Sequence, residues 1–525
     1  MVWKKKADIR GPRGYVGADG IPGTGAIPAS DAVGGYIDTS AVNATRTALI
    51  ANGLVSVRQY GAVGDGVTDD TNAINAAIQA NPGRTIYFPS KTYLIDAAAN
   101  VGQRSSMAGL KLNLPGTKLL LDAGAVLQVA TTAAGRYSVV EVSAADCVIE
   151  GGHFRGDLDT HLGSTDEHGY GILVNSGADR CVISNVRASK MWGDGIMVGD
   201  GDSYVDGNVP TDVRILNVVC TDNRRQGLSV VGSRRLRVIG GTFAQTGTTV
   251  YTAPGAGIDF EPSPDGLQDN FNFEVIGATA HNNVGRGFVT QGNGRTNSGR
   301  FLGCTARSND GEGFAIVSST DRVELNSCSA ISNTLEGFLL VSTSVNSELK
   351  ACTADLNLGQ GFKDDGTGNQ MTACHAKNNA KAGFYVGASA VGTRLVACST
   401  AGNCTSGGFW VREYELYAVG THLSGCHATV GTNATKPTTG FQIRTGATTV
   451  TLVGCSASGT WSAAAFAGQA DTIANPVPGF VVGFTGATTG TTAPTAGGAG
   501  ALPATPLGYV TVHINGTSRK MPYYA

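Results

Sequence analysis

Two acidic residues stand one position apart in the segment GIDFEP, where Asp259 and Glu261 flank a phenylalanine. On an extended strand, side chains two residues apart point to the same side and lie about 6.6 Å from each other. Two carboxyl groups at that separation suit an inverting glycoside hydrolase, in which one protonates the leaving oxygen and the other activates water. Asp194, in WGDGI, is a candidate third member. The alternative is that all three are solvated surface acids, which any strand face carries.

Basic and aromatic residues near these acids form a second candidate group. A lyase would need a base, and a cation that neutralises the carboxylate of an acidic sugar. Three arginines and two aromatic residues are therefore predicted to bind substrate: Arg224, Arg225, Arg286, Trp192 and Tyr251. Loop histidines are more often solvated than catalytic, so the weaker candidates are three histidines near the first insertion: His153, His161 and His168.

A sequence repeat positions these residues. Between residues 278 and 409, a small residue, an asparagine five positions later and a phenylalanine ten positions later recur together. The clearest sets are Cys304, Asn309 and Phe314; Cys328, Asn333 and Phe338; Cys352, Asn357 and Phe362; and Cys374, Asn379 and Phe384. The cysteines are 24, 24 and 22 residues apart, and no set contains a helical pattern. This period predicts an all-β fold, a right-handed parallel β-helix with phenylalanine stacked inside and asparagine hydrogen-bonded between turns.

The register assigns the acids to the outside of this solenoid. It extends upstream to Gly152, and it reaches Ile258 from Gly241 after seven inserted residues. If Ile258 points inward, then Asp259 and Glu261 point outward. Solenoids usually carry their function on insertions, and three of these precede the acids: 156–170, 199–211 and 246–257.

An outward position follows each inward phenylalanine. Val289, Ala315 and Leu339 occupy it on successive turns, and an exposed apolar stripe of this kind usually marks an interface. We expect it to be the contact between protomers of a trimer. Tyr385 and Trp410 occupy the same position further along, and they would either join that interface or form a platform for sugar rings.

Composition excludes several classes of function. The net charge is −2 with no basic face, so nucleic-acid binding is not expected. No apolar run is long enough to span a membrane, and MVWKKKADIR is not followed by the apolar segment of a secretion signal. Most of the 11 cysteines occupy one equivalent position without a histidine partner. They are therefore predicted to be a buried column of free thiols, and no metal or cofactor is expected.

The segment 57–80 predicts a helix that covers the open end of the solenoid. Thr68, Asp69 and Asp70 lie where a helix N-terminus favours capping side chains and negative charge. With Asp65, these acids could instead bind Ca²⁺, but capping is the preferred interpretation. The apolar face of the helix contains Ile74, Ala77 and Ile78.

Both ends of the chain depart from the repeat. Glycine recurs at every third position near the N-terminus, which is collagen spacing and indicates a trimeric stalk, with a flexible leader as the alternative: Gly11, Gly14, Gly17, Gly20 and Gly23. The predicted organisation has six parts. Residues 1–29 are an attachment and collagen-like segment, 30–58 a connector, and 59–130 a cap helix with the first coils. Residues 131–465 are the β-helix body, 466–507 a passage rich in Gly, Thr, Ala and Pro, and 508–525 a C-terminal hairpin.

The segment YGAVGDGVTDDTNAINAAI resembles the entry motif of the pectate-lyase-like β-helix superfamily, which includes bacteriophage tailspikes and polysaccharide depolymerases. With the repeats, the resemblance covers residues 57 to about 465. Together with the glycine triplets it implies a phage tailspike or minor tail protein. Such a protein is a homotrimer on the virion that contacts host-surface glycan, and other tail or baseplate proteins hold its N-terminus. The His-Gly and Arg-x-Lys signatures of polygalacturonases and the YGFDPHE-type motif of alginate epimerases do not occur, so those two activities are disfavoured.

These observations predict a protein that binds host-surface polysaccharide and cleaves it by glycoside hydrolysis. The alternative is a non-catalytic structural or adhesive tail protein, and a polysaccharide lyase is the third hypothesis. The first two differ in whether the insertions bring acids together around a cleft.

Overall fold

The computed structural model describes residues 54–101, 107–199, 209–262, 269–291, 295–317, 320–406, 412–431, 437–444, 447, 449–461, 464–467, 472–474, 508–514 and 517–523. The chain is an all-β right-handed parallel β-helix of about 13 turns, as the repeat predicts. It divides into two compact units, Met1–Thr279 and Ala280–Ala525.

In the first unit, each turn contributes one short strand to each of three sheets. Sheet 1 contains Leu54–Ser56, Thr85–Phe88, Lys118–Leu121, Val148–Glu150, Val182–Ser184, Arg214–Leu216, Arg237–Ile239 and Glu274–Ile276. Sheet 2 contains Asp65–Asp69, Thr92–Ile95, Val126–Val129, His153–Arg155, Arg187–Ser189, Val219–Thr221 and Thr242–Ala244. Sheet 3 contains Asn100–Val101, Met107–Leu112, Arg136–Val142, His168–Val174, Asp194–Val198, Gln226–Val230 and Ala256–Phe260. Pairing is parallel, except between the first two strands of sheet 3. A short fourth pairing joins Ser233–Arg234 to Asn270–Phe271.

The second unit has the same three strand positions in each turn. Its first sheet contains Arg300–Leu302, Glu324–Asn326, Glu348–Lys350, Gln370–Thr372, Arg394–Val396, His422–Ser424, Thr451–Val453 and Thr472–Ala474. Its second contains Thr305–Arg307, Ser329–Ile331, Thr353–Asp355, His375–Lys377, Ser399–Ala401, His427–Thr429 and Ser456–Ser458, and Thr279–His281 spans the boundary between the units. Its third contains Phe288–Thr290, Phe314–Ile316, Phe338–Leu340, Phe362–Asp364, Phe384–Val386, Arg412–Leu416, Thr439–Ile443 and Ala464–Ala467. Short strands also pair at Thr296–Asn297, Thr320–Asp321 and Ser344–Val345, and an antiparallel pair joins Gly508–Ile514 to Thr517–Tyr523.

A single interior row of aromatic rings runs through the second unit, as predicted. Phe314, Phe338 and Phe362 stack with ring centroids 5.0 and 4.7 Å apart and planes within 5° of parallel. The row continues from Phe384 to Tyr414, at 5.1 Å. The predicted member at this turn was Phe409, which lies outside the described residues. The fixed offset fails here because additional residues separate Asn403 from the strand.

A ladder of buried asparagines parallels this row, also as predicted. In each step the side-chain Nδ2 donates to Oδ1 of the next asparagine, at 2.8–2.9 Å, and from Asn309 onward it also donates to a backbone carbonyl of the preceding turn. The members are Asn283, Asn309, Asn333, Asn357, Asn379 and Asn403. The last amide donates to the buried Glu413 carboxylate, and burial raises the pKa of Glu413 to about 7.

All 11 cysteines lie among the described residues, and each is a buried free thiol. Within the column, Sγ donates to a carbonyl one turn back, as from Cys328 to Phe301 at 3.3 Å and from Cys352 to Leu325 at 3.4 Å. The thiols therefore fill small spaces beside the core.

The predicted cap helix, α1, spans Thr71–Gln79, after a 3-10 turn at Val57–Tyr60. Its apolar face is fully buried, and the Asn75 side chain bonds to both Gly109 O and Lys111 N of the adjacent strand, at 2.7 and 3.0 Å. Capping is divided between neighbours: Asp69 Oδ1 accepts from the Thr71 N–H at 3.0 Å. The Asp70 carboxylate instead turns back to the N–H groups of the preceding loop. Within the described residues, no cluster of three or more potential metal ligands occurs.

The predicted exposed stripe in the second unit is not exposed. Val289 and Ala315 are fully buried and Leu339 is 8% exposed, within a single chain. The stripe therefore cannot be the subunit contact that we expected, because the chain itself already covers it.

Several predicted segments lie outside the described residues: 1–29, nearly all of 30–58, most of the insertion 199–211, most of 466–507, and Trp410. No helix in the described part of the chain is long and apolar enough to cross a membrane.

Candidate functional site

The outer face of sheet 3 in the first unit carries the candidate site. Met197, Ser229 and Asp259 occupy equivalent positions on adjacent strands, each next to an inward aliphatic residue. This is the register predicted from the repeat. The strands are buried on both faces, however, and Tyr170, Leu173 and Met197 form an apolar cluster beside the polar residues.

A glycine occupies the second position of each of these three strands. A Cβ on Gly195 would lie 2.8 Å from the Asn223 amide nitrogen and 2.7 Å from the Gly227 carbonyl oxygen, so no larger residue fits. After this glycine, Ile196 lies in the core, whereas the carboxylate of Asp194 before it contacts Arg225.

Three carboxylates converge on the guanidinium of Arg225. Its NH1 lies 3.3 Å from Asp194 Oδ2, its NH2 lies 2.8 Å from Glu261 Oε1, and its Nε lies 3.3 Å from Glu167 Oε1. The arginine side chain is only 12% exposed. Burial lowers the pKa of Arg225, but the Asp194 and Glu261 carboxylates outweigh it and hold the pKa above its ordinary value. Arg225 was predicted to bind substrate, and in the structure it joins the acids to one another.

Asp194 has the properties of a proton donor. Its side chain is fully buried, and burial raises its pKa from 3.8 to about 7. Arg225 opposes this rise, and the negative charges of Glu261 and Glu167 add to it. Its Oδ1 is buried without a hydrogen-bond partner among the described residues.

Asp259 and Glu261 differ in exposure, contrary to the expectation that both face solvent. Asp259 is fully buried, and its Oδ2 accepts from Gln226 Nε2 at 3.0 Å. Glu261 is 17% exposed, and its Oε1 also accepts from Gln226 Nε2 and from Ser229 Oγ, each at 3.1 Å. Gln226 therefore bridges the two acids. Asp194 and Glu261 therefore both contact Arg225, whereas Asp259 is buried and contacts Gln226 instead.

The acidic rim of the site comes from the insertion 156–170, which the sequence identified only as a loop. Asp166 Oδ1 lies 3.3 Å from His168 Nε2, and Arg136 Nε donates to Asp166 Oδ2 at 2.8 Å. His168 Nδ1 is 2.9 Å from the Tyr170 hydroxyl, and burial lowers the pKa of His168. Glu167 and Asp166 were missed as site residues. The acidic run TDEH was the available signal, but their partners lie far away in sequence.

Trp192 and Arg224, both predicted to bind substrate, hold this insertion in place. The Trp192 ring stacks on His161 at 3.8 Å, and the Arg224 guanidinium lies 3.7 Å from the ring centroid. Trp192 Nε1 and Arg224 NH1 both donate to Asp166 O, at 3.1 and 2.9 Å. His161 in turn bonds through Nδ1 to the buried Asp157, at 2.9 Å. The stack thus fixes the backbone that presents Glu167.

The remaining candidates make other contacts. Tyr251 projects from the third insertion and is 51% exposed. Arg286 belongs to the second unit, where its Nε donates to Glu312 at 2.7 Å and its NH1 to Gln291 at 3.3 Å. His153 bonds to Ser189, and burial lowers its pKa to about 4.

Comparison with known families agrees with the fold. A protein-family model described as rhamnogalacturonase A/epimerase, pectate lyase-like, matches residues 54–255. A second family model, described as right-handed β-helix region, matches residues 170–354. Both matches support the pectate-lyase-like β-helix superfamily. The first of them contains Asp194 and Arg225 but ends before Asp259 and Glu261.

The proteins that are similar to this chain include a curated relative and a solved structure. The uncharacterized protein YclG of Bacillus subtilis (strain 168) is 28% identical over 275 residues, or 47% of each chain, so the matched region spans about half the length of this curated relative. The N-terminal fragment of bacteriophage φ29 gene product 12 has a TM-score of 0.58 and 14% identity, over 83% of this chain and 74% of that one. At that identity the structural similarity shows the fold alone.

Proposed function

We propose that this protein binds a polysaccharide across the outer face of sheet 3 in the first unit and hydrolyses it there. Asp194 is the proton donor to the glycosidic oxygen, since a group with a pKa of about 7 retains its proton in many molecules near neutral pH. Glu261 is the base that activates water, because it is the most exposed acid bonded to Gln226 and three donors stabilise its negative charge. Asp259 is a positioning residue that holds Gln226.

The convergence of Asp194, Glu261 and Glu167 on Arg225 carries this proposal. One cation cannot compensate three carboxylates in a poorly solvated site, so one of them retains its proton. Pairs of acids whose surroundings separate their pKa values are typical of enzymes that need an acid and a base together.

The full burial of Asp194 and Asp259 favours a second candidate, a non-catalytic adhesive or structural protein. In that case the cluster is an internal ion-pair network that fixes the insertion, and the glycan binds to the surface above it. Glu167 and Glu261, which are partly exposed, would be its contacts.

We further propose that the chain acts as a homotrimeric tailspike or minor tail protein of a phage, attached through its N-terminus to other tail proteins and binding host-surface glycan. The collagen spacing of residues 11–23 supports a trimeric stalk. The fold shared with a fragment of a bacteriophage gene product is compatible with this setting.

The test is to incubate purified protein with capsular and envelope polysaccharides of candidate host bacteria, and with polygalacturonate and alginate, and to measure new reducing ends and unsaturated sugars. Asp194→Asn and Glu261→Gln are each expected to reduce the rate by at least about 100-fold. Asp146→Asn, in an exposed ion pair with Arg180 in the same unit, is the matched control and should retain full activity.

The products decide between the candidates. Reducing ends without unsaturated sugars support hydrolysis, whereas unsaturated sugars indicate a lyase. Retained binding with neither product supports the adhesive protein. Full activity in both acid variants would reject the assignment of these residues.

A further inference from the structure

A second polar and aromatic surface lies on the outer side of the third sheet in the second unit. Lys363, Tyr385, Glu415 and Gln442 occupy equivalent positions on four successive strands. Beside them runs a second row, in which each residue follows an inward residue by one position: Asp365, Gly387, Tyr417 and Arg444. We call these eight residues the tyrosine surface.

Two tyrosine rings on adjacent turns form the centre of this surface. The rings of Tyr385 and Tyr417 have centroids 5.5 Å apart and are inclined at 46°, and both side chains are half-buried. The core does not require them, because Phe384 and Tyr414 already fill the interior row at these turns. An outward aromatic pair on strands that already have a complete core points to a ligand or a partner.

A glycine keeps the space beside the rings open to a carboxylate. A Cβ on Gly387 would lie 1.7 Å from Asp365 Oδ1 and 3.2 Å from the Tyr385 ring, so any other residue would displace the acid. Asp365 therefore lies in the side-chain space of position 387, next to Tyr385. Its other oxygen is 3.4 Å from Lys363 Nζ.

Contacts with Glu415 and Arg444 hold the Tyr417 ring in one orientation. Glu415 is almost fully buried, and its Oε1 accepts from the Tyr417 hydroxyl at 3.2 Å and from Arg444 Nε at 2.8 Å. The Arg444 guanidinium lies 5.3 Å from the Tyr417 ring centroid. A ring fixed in this way binds a ligand without a large loss of side-chain entropy.

We propose that the tyrosine surface is a non-catalytic glycan-binding site that receives a pyranose ring against Tyr385 and Tyr417. The apolar C–H face of a pyranose suits an aromatic ring, and its hydroxyl groups suit a rim of Asp365, Lys363 and Arg444. The choice of a glycan as ligand rests on the proposed function. The site itself lies in the other unit and uses none of the residues assigned to cleavage.

The test uses the full chain and affinity electrophoresis in gels that contain the same capsular and envelope polysaccharides, polygalacturonate or alginate. The double variant Tyr385→Ala/Tyr417→Ala is expected to weaken retention by at least about tenfold in at least one of these gels, because two ring contacts are lost. Tyr385→Phe/Tyr417→Phe retains the rings and should stay within about threefold of the parent. Phe271→Ala, which removes an exposed ring outside the surface, is the control and should bind like the parent.

Three results would overturn the proposal: no retention of the parent by any of these glycans, equal retention of the double alanine variant, or its dissociation into smaller assemblies in sedimentation velocity. The last would make the tyrosine surface a contact between copies of this chain. Failure of the proposed cleavage is separate, because tyrosine-dependent retention without new reducing ends leaves this site in place. Cleavage that continues in the double alanine variant without tyrosine-dependent retention rejects this site alone.

Discussion

Arg225 offers the most direct test of the charge arrangement on sheet 3. Arg225→Met retains much of the side-chain volume but leaves the Asp194, Glu261 and Glu167 carboxylates without their shared cation. Removing one partner of a buried ion pair typically costs about 3–5 kcal/mol of folding free energy. Because the arginine is only 12% exposed, we expect a loss in this range at pH 7.5.

The folding free energy lost in Arg225→Met should be smaller at low pH. Arg225 holds the pKa of Asp194 down, so this pKa should rise further in its absence, and at pH 5 a protonated Asp194 relieves part of the repulsion among the three acidic groups. Each unit of upward pKa shift is worth about 1.4 kcal/mol, but the parent Asp194 already holds its proton up to about pH 7, so the deficit should shrink by roughly 1 kcal/mol at pH 5. Urea unfolding followed by tryptophan fluorescence measures the deficit at both pH values, and Trp192 reports on this region.

The control for this experiment is Arg235→Met, which removes an exposed arginine paired with Asp212 in the same unit. It should leave the unfolding midpoint close to that of the parent at either pH. An equal deficit for Arg225→Met at pH 5 and 7.5 would mean that lost packing, and not uncompensated charge, explains its effect, and the reasoning about the acid cluster would be wrong.

Two further predictions concern buried polar groups. Because the folded pKa of Asp194 is raised from 3.8 to about 7, the parent should lose stability as the pH rises through that interval. Asp194→Asn should reduce the loss between pH 5 and 8 by roughly 2–3 kcal/mol, and equal pH slopes in urea unfolding would contradict this. Asn357→Ala removes a ladder amide that donates to Asn379 and Ala330 and accepts from Asn333. It should cost about 2–4 kcal/mol, whereas Asn326→Ala, at a half-buried position outside the ladder, should change little. A similar small effect at both positions would exclude the ladder as a source of stability.

Counting along the sequence was enough to predict the interior of this protein. A five-residue and a ten-residue offset identified the asparagine ladder and the aromatic row, because identical residues in a parallel β-helix must lie one above another. The count failed after Asn403, where additional residues shift the row to Tyr414. A register predicts stacking only while the number of residues in each turn is constant.

The candidate site was less predictable, for a physical reason. Alternation correctly separated Ile258 from Asp259, but it says nothing about what covers the outer face. That depends on the insertion 156–170, whose position is fixed by Trp192 and by contacts distant in sequence. The role of Glu167 follows from this packing, so it could not be obtained from local pattern alone.

The side-chain bonds of the asparagine ladder also have a direction, since each amide donates to the asparagine on its C-terminal side and the last one donates to Glu413. Duplicating or deleting a complete repeat, such as residues 304–327, would add or remove one link and preserve both ends of the hydrogen-bonded series. Inserting or deleting only part of a repeat would interrupt this hydrogen-bonded series. Relatives of this chain should therefore differ in the second unit by complete turns, and changes of intermediate length should accumulate in the loops.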